Sequence, residues 1–351
     1  MTRSSRVLPA VILLAAGSLF AADPLHVVVR NELAIARPSE TIEFTAPLDL
    51  ALVHVFDGER EVLAQGLDLD GDGTFDSVIF QTDLGPKQEK TFDLRVGSKR
   101  EYRKEDFRVY GRFVRERYDD FAWENDRVAH RMYGPALETW QKEPLTSSTV
   151  DVWLKRTRKL IVNDWYMVDD YHRDRGEGAD FFSAGKSRGC GGSGLWRDGK
   201  LVVTGNFRES KVLANGPIRL VFELTYPGFE KKRITLDAGQ NFNKFETSYS
   251  ETWAAGIKKA PLFRHEGGWM RTWGPVAGEN NGNFGCAVVM FDALDVVESD
   301  GNHLMIARAP AVYWVGSAWD RSGDFRDVED FDRLIAEWAA RVKTPVKVIV
   351  K

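Results

Sequence analysis

This chain is short of cysteine, of positive charge and of long apolar runs, and each shortage excludes something. Its 351 residues hold two cysteines, Cys190 and Cys286. Two are too few for the disulfide framework of a small secreted domain. Buried free thiols are the default state, with pairing left open in an oxidising compartment. Lysine and arginine number 48 against 52 acidic residues, a formal net charge of -4. That balance excludes general binding to nucleic acid or an anionic membrane surface, which needs a basic face. A small anionic ligand stays open, because only its pocket then needs positive charge. Beyond the N-terminus no apolar run approaches the length that crosses a bilayer.

Several catalytic signatures are missing too. Gly185-Lys186-Ser187 imitates the end of a phosphate-binding loop, but Asp180 stands where the first glycine belongs. Ser193 follows Gly191 suitably, yet Leu195 occupies the second glycine of a nucleophile elbow. His265-Glu266 has Trp269 where a zinc protease needs its second histidine. Nucleotide hydrolysis, serine-esterase and zinc-protease chemistry drop out.

What is present begins with residues 1–22, which read as a cleavable secretory signal. Arg3 and Arg6 precede an apolar stretch from Val7 to Phe20, closed by Ala21 and Ala22. The expected address is periplasmic or secreted, with no membrane attachment after cleavage. Cleavage removes both arginines and moves the net charge from -4 to -6. Aromatics are plentiful, with 11 Trp and 21 Phe. They serve core packing, and exposed indoles also stack on the C–H faces of sugar rings.

The pattern along the chain is all-β. Short β-branched or aromatic runs at His26–Val29, Thr41–Phe44, Leu52–Phe56, Val78–Thr82 and Thr91–Val96 are separated by Gly, Asp and Asn turns. Others follow at Leu201–Thr204, Ile218–Tyr226, Arg233–Leu236, Phe242–Ser250, Ala287–Phe291 and Ala311–Val315. Strands without regular helical crossovers argue for an antiparallel β-sandwich. One amphipathic helix is expected near the C-terminus, from Val328, Phe331, Ile335, Trp338 and Val342 at three- and four-residue spacing. Pro345 stops it, and Val346–Val350 reads as a last strand. The polar stretch Lys99–Asp106 is the one seam, giving an N-terminal β unit at 23–98 and a main sandwich at 99–351, unless 23–351 is continuous.

Three stretches could carry chemistry. In the first, Asp68, Asp70, Asp72 and Asp76 alternate with glycines, as in a loop that holds a structural Ca²⁺ or in a turn whose carboxylates cap backbone amides. The second places Trp123, Glu124, Asn125 and Asp126 before Arg131 and Tyr133, the stacking and hydrogen-bonding inventory of a sugar site. A solvated strand with local ion pairs has the same composition. The third is a long ordered loop that holds Tyr171, His172, Arg175 and Glu177, then Arg188-Gly189-Cys190. Loops on a rigid sheet are where sites concentrate. His265 is a weaker candidate, Trp319 a further stacking surface, and His130 reads as packing.

These blocks, together with Arg131-Met132-Tyr133-Gly134-Pro135-Ala136-Leu137 and Leu213-Ala214-Asn215-Gly216-Pro217, resemble the DUF4861 family of exported bacterial proteins. The resemblance covers nearly the whole chain after the signal. It implies a galactose-mutarotase-like super-sandwich and work on uronic-acid-containing polysaccharides, including oligosaccharide dehydration. The expected chemistry is then elimination of water from a uronic-acid oligosaccharide. His172 would be the base, Arg188 or Arg175 the carboxylate clamp and Tyr171 the acid. Trp123, Glu124, Asn125, Asp126, Arg131, Glu177, His265 and Trp319 would bind sugar. No cofactor is required for that chemistry, and the partner is an anionic oligosaccharide. The rivals are a glycoside hydrolase pairing Glu124 with Asp126 or Glu177, and a non-catalytic carbohydrate-binding protein.

Overall fold

Strand-forming runs dominate the fold of this chain, seen in a computed structural model that describes residues 25–141, 145, 149–168, 170–228 and 230–351. The expected signal segment and Asp169 lie outside the described residues. Among the described residues no helix is long and apolar enough to cross a membrane.

The main body is a large antiparallel sandwich. One layer is an eight-stranded sheet that includes Arg219–Thr225, Lys231–Asp237, Phe242–Thr247, Ala311–Trp319 and Asn283–Val289. Facing it are two five-stranded sheets, one centred on Ala129–Met132 and the other on Trp253–Lys258. A bridge between Val150 and Gly189 links the two sheets. One continuous core, with Phe121, Trp123, Phe222, Phe245, Trp253 and Tyr313 at its centre, fills the space between the layers. Period-two alternation drives this arrangement: on Asp120–Asn125 the aromatic Phe121 and Trp123 face the core while Asp120 and Glu124 point away. The back of the eight-stranded sheet is covered by helix Val328–Lys343, which seats Phe331 and Ile335 against Trp273 and Ala287. Asp327 caps it by accepting the Asp330 N–H at 2.9 Å. This is the expected all-β antiparallel sandwich with one C-terminal amphipathic helix. A second, shorter helix at Val162–Tyr166 was not apparent from the sequence.

Residues 26–96 form a smaller two-sheet unit with its own core. The last strand, Lys347–Val350, returns to pair with His26–Arg30, so both ends of the chain share one sheet. The two bodies are joined through polar groups: Gln65 accepts the Ile218 and Arg219 N–H groups, and Arg341 pairs with Glu40.

Cys190 and Cys286 form a disulfide, with Cα atoms 5.3 Å apart and a sequence separation of 96. This corrects the expectation of free thiols. The bridge ties the glycine-rich strand Cys190–Arg197 of one layer to Asn283–Val289 of the other. That strand was hidden in the sequence because Gly191, Gly194 and the facing Gly256 suggest a loop. They are there because a Cβ on any of them would collide with a neighbour.

Candidate active site

Three neighbouring strands place charged residues on the face opposite the core. Asp120 opens Asp120–Asn125, Arg131 lies within Ala129–Met132, and Asp151 opens Asp151–Lys155, directly across from Arg131 in the sheet register. The loop from residue 170 to Gly189 folds over this face and adds Tyr171, His172 and Asp180. Together with Arg117, Tyr118, Tyr133 and Trp140 these residues line a cleft of about 570 Å³.

Arg131 is its hub. Its Nε donates to Asp151 Oδ2 at 3.1 Å, its Nη2 lies 3.4 Å from Asp180 Oδ2, and its Nη1 donates to the Tyr171 hydroxyl at 3.1 Å. These neighbours hold the guanidinium's proton more firmly than usual, outweighing its burial. His172 Nδ1 lies 2.8 Å from the Asp180 carbonyl oxygen, so Nδ1–H donates and Nε2 keeps its lone pair. The histidine side chain is 62% exposed and lines the cleft. Arg117 lies over the Tyr171 ring at 5.1 Å, and its Nη2 donates to the Val168 carbonyl at 3.2 Å. Among the described residues it makes no salt bridge, and Glu116, which feels its charge, is paired with Arg112, which sets it apart from Arg131.

Asp120 is buried, accepts the Gly134 N–H through Oδ1 at 2.9 Å, and has Oδ2 3.8 Å from Arg131 Nε. That second oxygen has no hydrogen bond among the described residues. Burial pushes its pKa up to about 7, partly opposed by Arg131 and the Gly134 amide. The folded chain therefore keeps a proton that the unfolded chain releases near the ordinary carboxylate value. Stability contributed by this difference is present at acid pH and falls as pH rises from about 4 to about 7. Asp120→Asn should remove that loss, leaving the variant on the order of 2–4 kcal/mol better off at pH 8 than at pH 5, relative to the parent. Urea titrations at both pH values measure it, and parallel profiles for the two proteins would refute the assignment.

The structure gathers Tyr171, His172 and Arg131 as neighbours and sends the other expected residues elsewhere. Trp123 is fully buried, stacked on His130 and donating its indole N–H to Asn243 at 2.8 Å, so it offers no face to a sugar. His130 is likewise core, with burial pushing its pKa down to about 3. Glu124 is sealed against Lys155 at 2.7 Å. Asn125 knits a turn by accepting the Arg127 and Val128 N–H groups and donating to Asp237 and Gln240 carbonyls. Asp126 accepts the Gly239 N–H at 2.6 Å. All five lie on strand positions or turn caps that packing claimed.

Arg188 runs into the interior beside Tyr226, Tyr249 and Glu230 and does not line the cleft. Arg175 is exposed outside it, and Glu177 pairs with Lys159 at 2.8 Å. His265 sits exposed on Leu262–Glu266, the edge strand of the eight-stranded sheet. Trp319 is buried behind the cleft wall, donating to the Asn281 carbonyl at 2.7 Å and touching Phe181. In the aspartate-rich turn, Asp68, Asp70 and Asp76 bring carboxylate oxygens within 4.8 Å of one another. Asp72 is not among them; it accepts the Thr74 N–H at 2.8 Å. Asp68 and Asp76 cap backbone amides of the same turn.

Arg117, Tyr118, Asp120, Trp140 and Asp151 escaped the sequence reading as site residues. A faint signal existed, since Asp120 and Glu124, then Asp151 and Lys155, occupy one parity of otherwise apolar strands. That pattern marks a non-core face but not a cleft.

A family model described as "Domain of unknown function (DUF4861)" matches residues 29–348. A protein of Formosa agariphila named "Uncharacterized protein P7" is 30% identical over 393 aligned positions, covering 96% of this chain and 98% of that one. Among solved structures, an alpha-mannosidase from Enterococcus faecalis V583 superposes with a TM-score of 0.51 at 10% identity, over 95% of this chain and 46% of that chain. A glycosyl hydrolase family 38 protein from Enterococcus faecalis gives 0.50 at 9%, over 95% and 48%. The chain thus spans about half the length of these solved proteins, and the likeness is one of fold.

Proposed function

This chain belongs to the DUF4861 family, and on that premise we propose that it is an exported carbohydrate-active enzyme, a carbon–oxygen lyase that eliminates water from uronic-acid oligosaccharides. The observation that carries the reading is the convergence, in one cleft, of a cation that makes no salt bridge among the described residues, an imidazole with a free nitrogen and a polarised phenol.

Removing the C5 proton of a uronic acid is feasible only because the adjacent carboxylate absorbs the charge that develops. Arg117 is the group suited to bind that carboxylate, since its planar fork matches two carboxylate oxygens. It takes the role expected of Arg188 or Arg175, which stand elsewhere. His172 Nε2 accepts the C5 proton, and the C–H electron pair becomes the C4–C5 double bond. The C4–O bond breaks, and Tyr171 gives its hydroxyl proton to the departing oxygen, which leaves as water. The Arg131 N–H that points at the Tyr171 oxygen then stabilises the phenolate until it regains a proton.

Charge is consistent with an anionic substrate. Arg117 and Arg131 balance Asp151 and Asp180, while Asp120 stays neutral up to about pH 7. The disulfide supports an oxidising, periplasmic or secreted setting. The rival hydrolase reading loses its proposed pair, because Glu124 is shut into the Lys155 contact.

Mass spectrometry of uronate oligosaccharides after incubation tests the proposal, read beside absorbance in the conjugated-alkene band. Loss of one water with alkene absorbance is expected. Gain of water with cleavage would replace it with hydrolysis, and unchanged oligomers with ligand-induced thermal stabilisation would make the protein a binder.

A further inference from the structure

One end of the cleft is built from two aromatic rings that the elimination chemistry does not use. Tyr118 and Trp140 both line it, with ring centroids 4.8 Å apart and planes inclined by 35°. Tyr118 is 39% exposed, high for a tyrosine packed against an indole. The chain reaches this placement by an unfavourable route. Tyr118 and Asp119 are consecutive non-glycine residues in the left-handed region, with φ of 56° and 62°. Such conformations persist where the surroundings enforce them, often at ligand clamps. The enforcing partner is Gly134, where a Cβ would collide with the Asp119 carbonyl. The same turn delivers Arg117 on one side of Tyr118 and Asp120 on the other.

The same cleft lining holds Arg117, the chain neighbour of Tyr118, over the Tyr171 ring at 5.1 Å, with the Tyr171 and His172 rings 4.6 Å apart. The aromatic pair is thus tied through the chain to the arginine proposed to bind the carboxylate. A uronic ring held by Arg117 beneath His172 would extend its neighbour in the chain onto Tyr118 and Trp140. The cleft volume of about 570 Å³ is in the range that encloses a ligand larger than one ring. Sugar rings present C–H faces that stack on phenol and indole.

We infer that Tyr118 and Trp140 form a stacking subsite for a second sugar unit, so that the enzyme prefers an oligosaccharide of at least two residues over a monosaccharide. This rests on the proposed uronate reading for the identity of the first sugar, but the subsite is tested by binding alone.

Isothermal titration with galacturonic acid and with di- and trigalacturonate, and the same series of mannuronates, reads the effect of length. The parent protein should gain about tenfold in affinity from one unit to two. Tyr118→Ala and Trp140→Ala should erase most of that gain while leaving monosaccharide affinity and the circular dichroism spectrum unchanged. Tyr118→Phe should preserve it, because stacking needs the ring and not the hydroxyl. A length dependence that survives in both alanine variants overturns the subsite, as does failure of every oligomer to bind. Length-dependent binding without alkene formation would sink the elimination reading and leave the subsite standing.

Discussion

His172→Ala should lower alkene formation from a uronate oligomer by about 10²–10⁴-fold, the range lost when a positioned acid–base group is removed. The expectation follows from how the imidazole is held. The Asp180 carbonyl takes the Nδ1 proton at 2.8 Å, which fixes the tautomer and leaves Nε2 as the only basic ring nitrogen. Because the side chain is 62% exposed, its truncation opens no core cavity. The loss should therefore fall on kcat, with KM and thermal stability nearly unchanged. Steady-state kinetics at saturating oligomer, with a melting curve for each protein, make the measurement. A variant that keeps within about threefold of parental turnover would remove His172 from the chemistry. A variant that loses KM and kcat together with several degrees of melting temperature would make it a structural residue of the loop.

The second large effect concerns stability, not turnover. Lys155→Met should destabilise the fold by about 3–5 kcal/mol, the cost of leaving a buried charge without its partner. Lys155 Nζ donates to Glu124 Oε2 and to the Asn125 carbonyl, each at 2.7 Å, and both charged side chains are fully buried. Burial pushes the Glu124 pKa up and the Lys155 pKa down, and each is the other's main opposing influence. Glu124 also accepts the Val162 N–H at 2.7 Å, which starts the short helix lying on this face of the sheet. With methionine at 155 the carboxylate keeps that amide and loses its cation. The double variant Glu124→Gln/Lys155→Met carries no buried charge and should recover at least about half of the loss. Denaturant unfolding of the parent, both single variants and the double variant closes the cycle. Additive single losses would mean that the pair is not coupled as its geometry implies.

The two predictions mark a division between neighbouring residues on one sheet. Arg131 and Lys155 are both basic, both on the outer face, and four strand positions apart across the register, since Arg131 faces Asp151. One opens onto the cleft and the other is roofed by the helix Val162–Tyr166 and the chain around it. Sequence periodicity places them on the same face and says nothing about the roof. The same blindness explains why Glu124 reads as a sugar ligand in the linear pattern. Charged residues interleaved with aromatic ones look identical whether the charges meet solvent, substrate or each other.

Arg117 and Arg188 show the converse. Arg188 belongs to a dense polar block and draws attention by composition, yet its strand enters the interior. Arg117 lies in an ordinary charged hairpin turn between Val109–Val114 and Asp120–Asn125. Only the packing of that turn against Gly134 brings it beside Tyr171.

The sequence by itself determined the fold class, because alternation with period two, turn glycines and one helical stripe are local signals that survive in any tertiary context. It also determined the family and the loop from which Tyr171 and His172 come. Tertiary structure decided which charges are paired in the interior and which face the cleft. It also decided whether the cysteines meet and which cleft arginine, among the described residues, stays out of a salt bridge. Those outcomes depend on contacts between residues tens of positions apart, such as Asp120, Arg131, Asp151 and Asp180, and no local pattern encodes their distances.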